Sequence, residues 1–127
     1  MKRFLSAMLC VVVLVACCTL TSMAFGGSLT ATLTTDATEA YSATCGCHTV
    51  KYYAENSRDS AGSLDVAAQL STGIGWVSHK QMTISPGSSV ETGSIGNASI
   101  TYLCRGFISV TSGGTGCSGH ITVTVTS

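Results

Sequence analysis

The longest regular alternation of apolar and polar residues runs from Ser99 to Thr111. Ile100, Tyr102, Cys104, Gly106, Ile108 and Val110 share one face. Thr101, Leu103, Arg105, Phe107, Ser109 and Thr111 share the other. A period of two over this length predicts a β-strand whose even-numbered face is buried. The same pattern recurs at Ser28–Thr34, where Leu29, Ala31 and Leu33 alternate with threonine, and at the chain end, where Ile121, Val123 and Val125 do so. Cys45–Ala54 is expected to form one strand, with His48, Val50, Tyr52 and Ala54 on one face. Leu64, Val66, Ala68 and Leu70 predict another strand. Ala-Ala-Gln-Leu is also compatible with a helix there, but the flanking segments favour a strand. A short strand is expected over Thr72–Ser78, and one over Lys80–Ser85 that Pro86-Gly87 ends, since proline cannot donate to a ladder. Asp36–Ser42, Asn56–Ser63 and Ser112–Gly119 read as loops, and Ser88–Gly96 as a looser segment.

The N-terminus departs from this pattern. Met1-Lys2-Arg3 is basic, Phe4–Ala16 is apolar, and Ser22-Met23-Ala24 places small residues where a signal peptidase cleaves. This predicts a secretory signal over 1–24 followed by one domain over 25–127. The apolar run is shorter than the roughly 20 residues that span a bilayer. Leu14-Val15-Ala16-Cys17 resembles a bacterial lipobox, which would leave Cys17 acylated and the domain anchored to a membrane surface. Cys18–Phe25 lacks the polarity of a lipoprotein tether, so cleavage after Ala24 is preferred. The expected location is secreted or cell-surface, with a lipid-anchored envelope protein as the alternative. Membrane attachment is expected only through Cys17.

About seven short strands, one proline and no convincing helix predict an all-β fold, a single antiparallel β-sandwich. Beyond residue 24, Lys51, Arg58, Lys80 and Arg105 stand against six carboxylates, so no basic patch is available for nucleic acid. Cys45, Cys47, Cys104 and Cys117 remain after the signal. In an exported domain they predict two disulfides, with three connectivities open. Cys45 and Cys47 point to one side of a strand, so one is expected to reach Cys104 and the other Cys117.

Tyr102-Leu103-Cys104 resembles the Tyr-x-Cys of an immunoglobulin-type penultimate strand. Ile84-Ser85-Pro86-Gly87-Ser88-Ser89-Val90 is similar to the Pro-Gly turn of bacterial immunoglobulin-like modules. The resemblance implies an immunoglobulin-like, disulfide-stapled sandwich whose inter-sheet bridge joins Cys47 to Cys104. The chain departs from that family at its only tryptophan, Trp76, which lies too far downstream of Cys47 for the family's buried Trp.

The chemistry-bearing residues offer little catalysis. Cys45-Gly46-Cys47-His48 is one residue short of haem attachment spacing. Ligating zinc with His79 and His120 would require reduced thiols. No Gly-x-Ser-x-Gly occurs, Gly116–His120 has the wrong order for a nucleophile elbow, and the carboxylates are scattered. No enzyme activity, metal or cofactor is expected. Trp76, Tyr41, Tyr52, Tyr53 and Phe107 are candidates for a carbohydrate- or protein-binding face, with packing in the core or on a strand face as the alternative for each. Strand parity puts Tyr53 and Phe107 outside, and with Trp76 they form a candidate binding face for carbohydrate or protein. Asn97-Ala98-Ser99 is a glycosylation sequon in a eukaryotic host.

Two functions follow. One is a structural subunit of a surface fibre or coat, self-assembling by strand addition through Ser28–Thr34. The other is an adhesin-like binding module. The first is preferred by a small margin, because no ligand-pocket residues stand out.

Overall fold

The computed structural model describes residues 27–126. The expected signal segment, its expected cleavage point and Cys10, Cys17 and Cys18 lie outside the described residues. Ten strands follow in order: β1 (Gly27–Leu33), β2 (Glu39–Tyr41), β3 (Cys45–Cys47), β4 (Thr49–Asn56), β5 (Leu64–Ser71), β6 (Val77–Ile84), β7 (Ser89–Glu91), β8 (Ile95–Gly96), β9 (Tyr102–Val110) and β10 (Gly119–Val125). The first sheet runs β1-β10-β4-β7, with β8 also on β4. The second runs β2-β9-β5-β6, with β3 also on β9. Every pairing is antiparallel.

The two sheets bury one core between them, and alternation decides which residues enter it. Leu29, Ala31 and Leu33 from β1 meet Ile121, Val123 and Val125 from β10, while Val66, Ala68 and Leu70 of β5 close from the other side. At the centre of β9, Gly106 faces this core. A Cβ there would stand 3.0 Å from a methyl of Val123 and 3.2 Å from one of Ile121, so the side chains of β10 fill the space where β9 carries none. Tyr52 of β4 is buried and spans the core. Its hydroxyl donates to the backbone carbonyl of Lys80 at the far edge of the second sheet. Lys80 has φ 53°, and the β5–β6 register slips beside it, so this carbonyl belongs to a bulge. Burial pushes the Tyr52 phenol up to about 12.

The strand count exceeds seven because both edges are broken. β2 and β3 are two pieces laid along β9, and β7 and β8 are two pieces laid along β4. β2 forms within the predicted loop Asp36–Ser42, and β7 and β8 within the looser Ser88–Gly96. Of the two strands expected over Thr72–Ser78 and Lys80–Ser85, residues 72–76 are loop, and the remainder forms one bulged strand, β6. Cys45–Ala54, expected as one strand, is two strands in different sheets. Cys45 and Cys47 face the core from the second sheet, the chain crosses at His48, and Val50, Tyr52 and Ala54 face it from the first.

The pairings are nested: β1 with β10, β2 and β3 with β9, β4 with β7 and β8, β5 with β6. The chain is thus one long folded-over hairpin, wound as in the double Greek key of a jelly roll. An immunoglobulin sandwich keeps its last two strands in one sheet. Here β9 and β10 lie in opposite sheets, so the likeness at Tyr102-Leu103-Cys104 is local and does not extend to the strand order. The expected inter-sheet bridge is corrected for the same reason, since Cys47 and Cys104 sit on neighbouring strands of one sheet.

Candidate functional site

The outer face of the second sheet gathers side chains from β2, β9, β5 and the loop before β6. Arg105 points outward from β9 beside Gln69 of β5, its register partner. Its Nε donates to Gln69 Oε1 at 2.8 Å, and Gln69 Nε2 donates to Ser78 Oγ at 3.2 Å. The guanidinium carbon lies over both rings, 4.2 Å from the centre of Tyr41 and 4.1 Å from that of Trp76, so two aromatic side chains contact it. Phe107 continues the stack, its ring centre 5.1 Å from that of Tyr41 and tilted by 35°. Each cation–π contact at such a half-exposed site contributes about 0.5–1 kcal/mol.

Two local devices hold this arrangement. Beside Tyr41, the Ser42 N–H donates to the Gly106 carbonyl at 3.0 Å, and Ser42 Oγ accepts from the Gly106 N–H at 2.7 Å. These bonds carry β2 across the break before β3 and fix Tyr41 over β9. Trp76 follows Gly73 and Gly75, with φ of 113° and 106°, which let the loop turn back over the sheet. One side-chain row along β9 from Arg105, a depression of about 320 Å³ opens between Gly46, Ser71, Thr72, Gly73, Thr101, Tyr102 and Leu103. Leu103 on its floor is 46% exposed.

The expected binding trio is divided. Trp76 and Phe107 meet on this face. Tyr53 points out from β4 on the opposite sheet, where its hydroxyl donates to Glu55 Oε2 at 3.0 Å and its ring lies 6.1 Å from that of His120. Tyr41, another of the candidate aromatics, also lies on this face, whereas Arg105 and Gln69 were missed. Arg105 had a readable signal, since it shares the outward parity of Phe107 on the strand with the longest alternation.

Three cysteines converge at the core edge beneath this face. Cys45 is the direct cross-strand partner of Cys104, with the sulfurs 3.4 Å apart, and Cys47 also contacts Cys104. All three are at most 2% exposed. Hydrogen bonding from Cys104 lowers the Cys45 and Cys47 thiols against the opposing effect of burial. Cys104 is pushed up by its two thiol neighbours and by burial. The cysteines are present as thiols among the described residues.

Cys117 does not join the cluster. Its sulfur lies 3.4 Å from the Gly62 carbonyl, at the end of the sandwich where β5 begins. Cys104 pairs with Leu70, six residues further along β5, about 20 Å away at the rise of a strand. The expectation that Cys117 is bridged to Cys45 or Cys47 is therefore corrected. Near Cys117, the buried Asn56 donates to the Gly62 and Ile84 carbonyls at 3.0 and 2.9 Å, holding the loop that follows β4.

The zinc set is dispersed. His79 stands on β6 and His120 on β10, in different sheets, while His48 Nδ1 lies 2.8 Å from the Ile100 carbonyl. Among the described residues, no group of three or more His, Cys, Asp or Glu side chains is placed to hold a metal ion.

No family model matches this chain, and no curated protein matches it. Among solved structures, one titled "Crystal structure of PirA" is similar over 81% of this chain and 94% of that one, with 14% identity and a TM-score of 0.45.

Proposed function

We propose that this chain is an exported, non-enzymatic binding module whose recognition surface is the outer face of the second sheet. The observation that carries the reading is the packing of Arg105 against Tyr41 and Trp76, beside a sugar-sized depression. Aromatic rings held flat on a rigid sheet present contact area at little entropic cost, and carbohydrate or protein ligands use such surfaces. The reading also takes the core as closed after export by one disulfide, Cys45–Cys104, within reach of a side-chain rotation. Cys47 is a competing partner for Cys104.

A glycan array and pull-downs with the secreted protein test the reading. Ligand capture is expected to survive Tyr53→Ala and to be lost in Trp76→Ala and Tyr41→Ala. Absence of any ligand at high protein concentration would sink it.

Self-assembly is the second reading, favoured by the position of β1 at a sheet edge, where a further strand can add. Against it, all seven residues of β1 are paired with β10 of the same chain. Concentration-dependent polymers in sedimentation would restore it, and a monomer at every concentration would remove it.

A further inference from the structure

We propose that Arg105 is a carboxylate-binding residue for an acidic sugar, a uronate unit whose ring rests over the depression at Leu103. This inference rests on the binding-module reading and adds the chemical class of the ligand. Tyr41 and Trp76 both pack against the guanidinium, which leaves its N–H donors as the means of meeting a partner. One edge is spent on Gln69. The terminal nitrogens have no carboxylate partner among the described residues. Asp65, on the same face, accepts instead from Thr83 at 2.7 Å and Thr111 at 3.0 Å. A planar fork with unspent donors matches the two oxygens of a carboxylate, and stacked rings exclude water from that contact.

The neighbouring depression supplies the rest of the sugar site. Ser71, Thr72, Thr101 and Tyr102 bring hydroxyls and Leu103 an apolar floor, which suits a pyranose with polar edges and a hydrocarbon face. Arg105 and Leu103 are two residues apart on one face of β9, about 6.6 Å, the span of one ring with its exocyclic carboxylate. The small glycines Gly46 and Gly73 leave the depression open at backbone level.

Calorimetric titration of the full exported protein with galacturonate, mannuronate and hyaluronate oligomers tests this. Each is run beside its methyl ester and beside polyglutamate. At least one oligouronate is expected to bind, at least tenfold more weakly once esterified. Arg105→Lys, which keeps the charge but loses the fork, is expected to weaken binding at least tenfold while the circular dichroism spectrum is unchanged; Arg105→Gln serves as the second variant. Equal binding of acid and ester, polyglutamate binding as tightly as the sugar, or no oligouronate binding at millimolar concentration would each overturn the proposal. In that event, neutral glycans captured by wild type and lost in Trp76→Ala would leave the binding-module reading standing. No capture of any kind would remove both.

Discussion

The two outward faces of the sandwich arise from the same alternation and end with opposite character. On the first sheet the outward residues are largely threonines that satisfy one another across the strands. Thr30 and Thr122 hydroxyls are 3.1 Å apart, Thr49 and Thr126 2.6 Å, and Ser28 and Thr124 3.4 Å. On the second sheet the outward residues are large and of mixed type, and the cation among them keeps donors unspent. Exposure is similar in the two cases: Tyr53 on the first is 40% exposed and Tyr41 on the second 45%. Accessibility alone therefore does not mark a recognition surface. What distinguishes the second face is polar capacity left over after the fold has used what it needs.

The strongest way to break this contrast is to push the faces apart. Gly106→Val places a branched side chain against Val123 and Ile121 and is expected to cost about 3 kcal/mol in urea unfolding. Because Arg105 and Phe107 flank that residue, binding should fall with it. Cys104→Ala comes next, expected to cost about 2 kcal/mol in oxidised protein. Intact mass of the mature protein is expected to show loss of two hydrogens for one bridge, and loss of four would revive the two-bridge scheme.

Tyr52→Phe removes the hydroxyl that ties β4 to the Lys80 carbonyl, at about 1 kcal/mol. It also has a pH signature. The native phenol keeps its proton to about 12, whereas the unfolded one loses it near 10. Over that window the native state binds more protons, so stability should fall as pH rises, and the Phe variant should lack that slope. The smallest effect sharpens the comparison directly. Thr30→Val with Thr122→Val should change stability by no more than about 0.5 kcal/mol and leave ligand capture intact, whereas Trp76→Ala should abolish capture.

Strands with one uninterrupted parity were legible in the sequence. β1, β9 and β10 match their alternation closely, because each has one core face and one outward face, and β5 keeps the same period although Ala67 and Ser71 of its outward row are also buried. The short edge pieces β2, β7 and β8 were not, since at three residues or fewer no period can be read. The crossing at His48 did leave a trace. Inward positions are odd at Cys45 and Cys47 and even from Val50, and that slip marks the change of sheet. Strand order was illegible because periodicity carries no information on which distant strand is the neighbour. The Arg105 clamp was half legible: its parity was plain, but Tyr41 and Trp76 reach it from a predicted loop and a glycine-bent turn.

The nested pairing has a consequence for timing. Among the described strands, the first to leave the ribosome, β1, has one ladder partner, and that partner is the last of them to be made. Until Gly119–Val125 emerges, Leu29, Ala31 and Leu33 have no ladder to join, and the first sheet stays open between β1 and β4. Such long-range closure is slow, and a chain exported as proposed gains time to reach its channel while still threadable. Cutting off the final seven-residue strand would release the opening one as well, undoing the molecule from both ends at once.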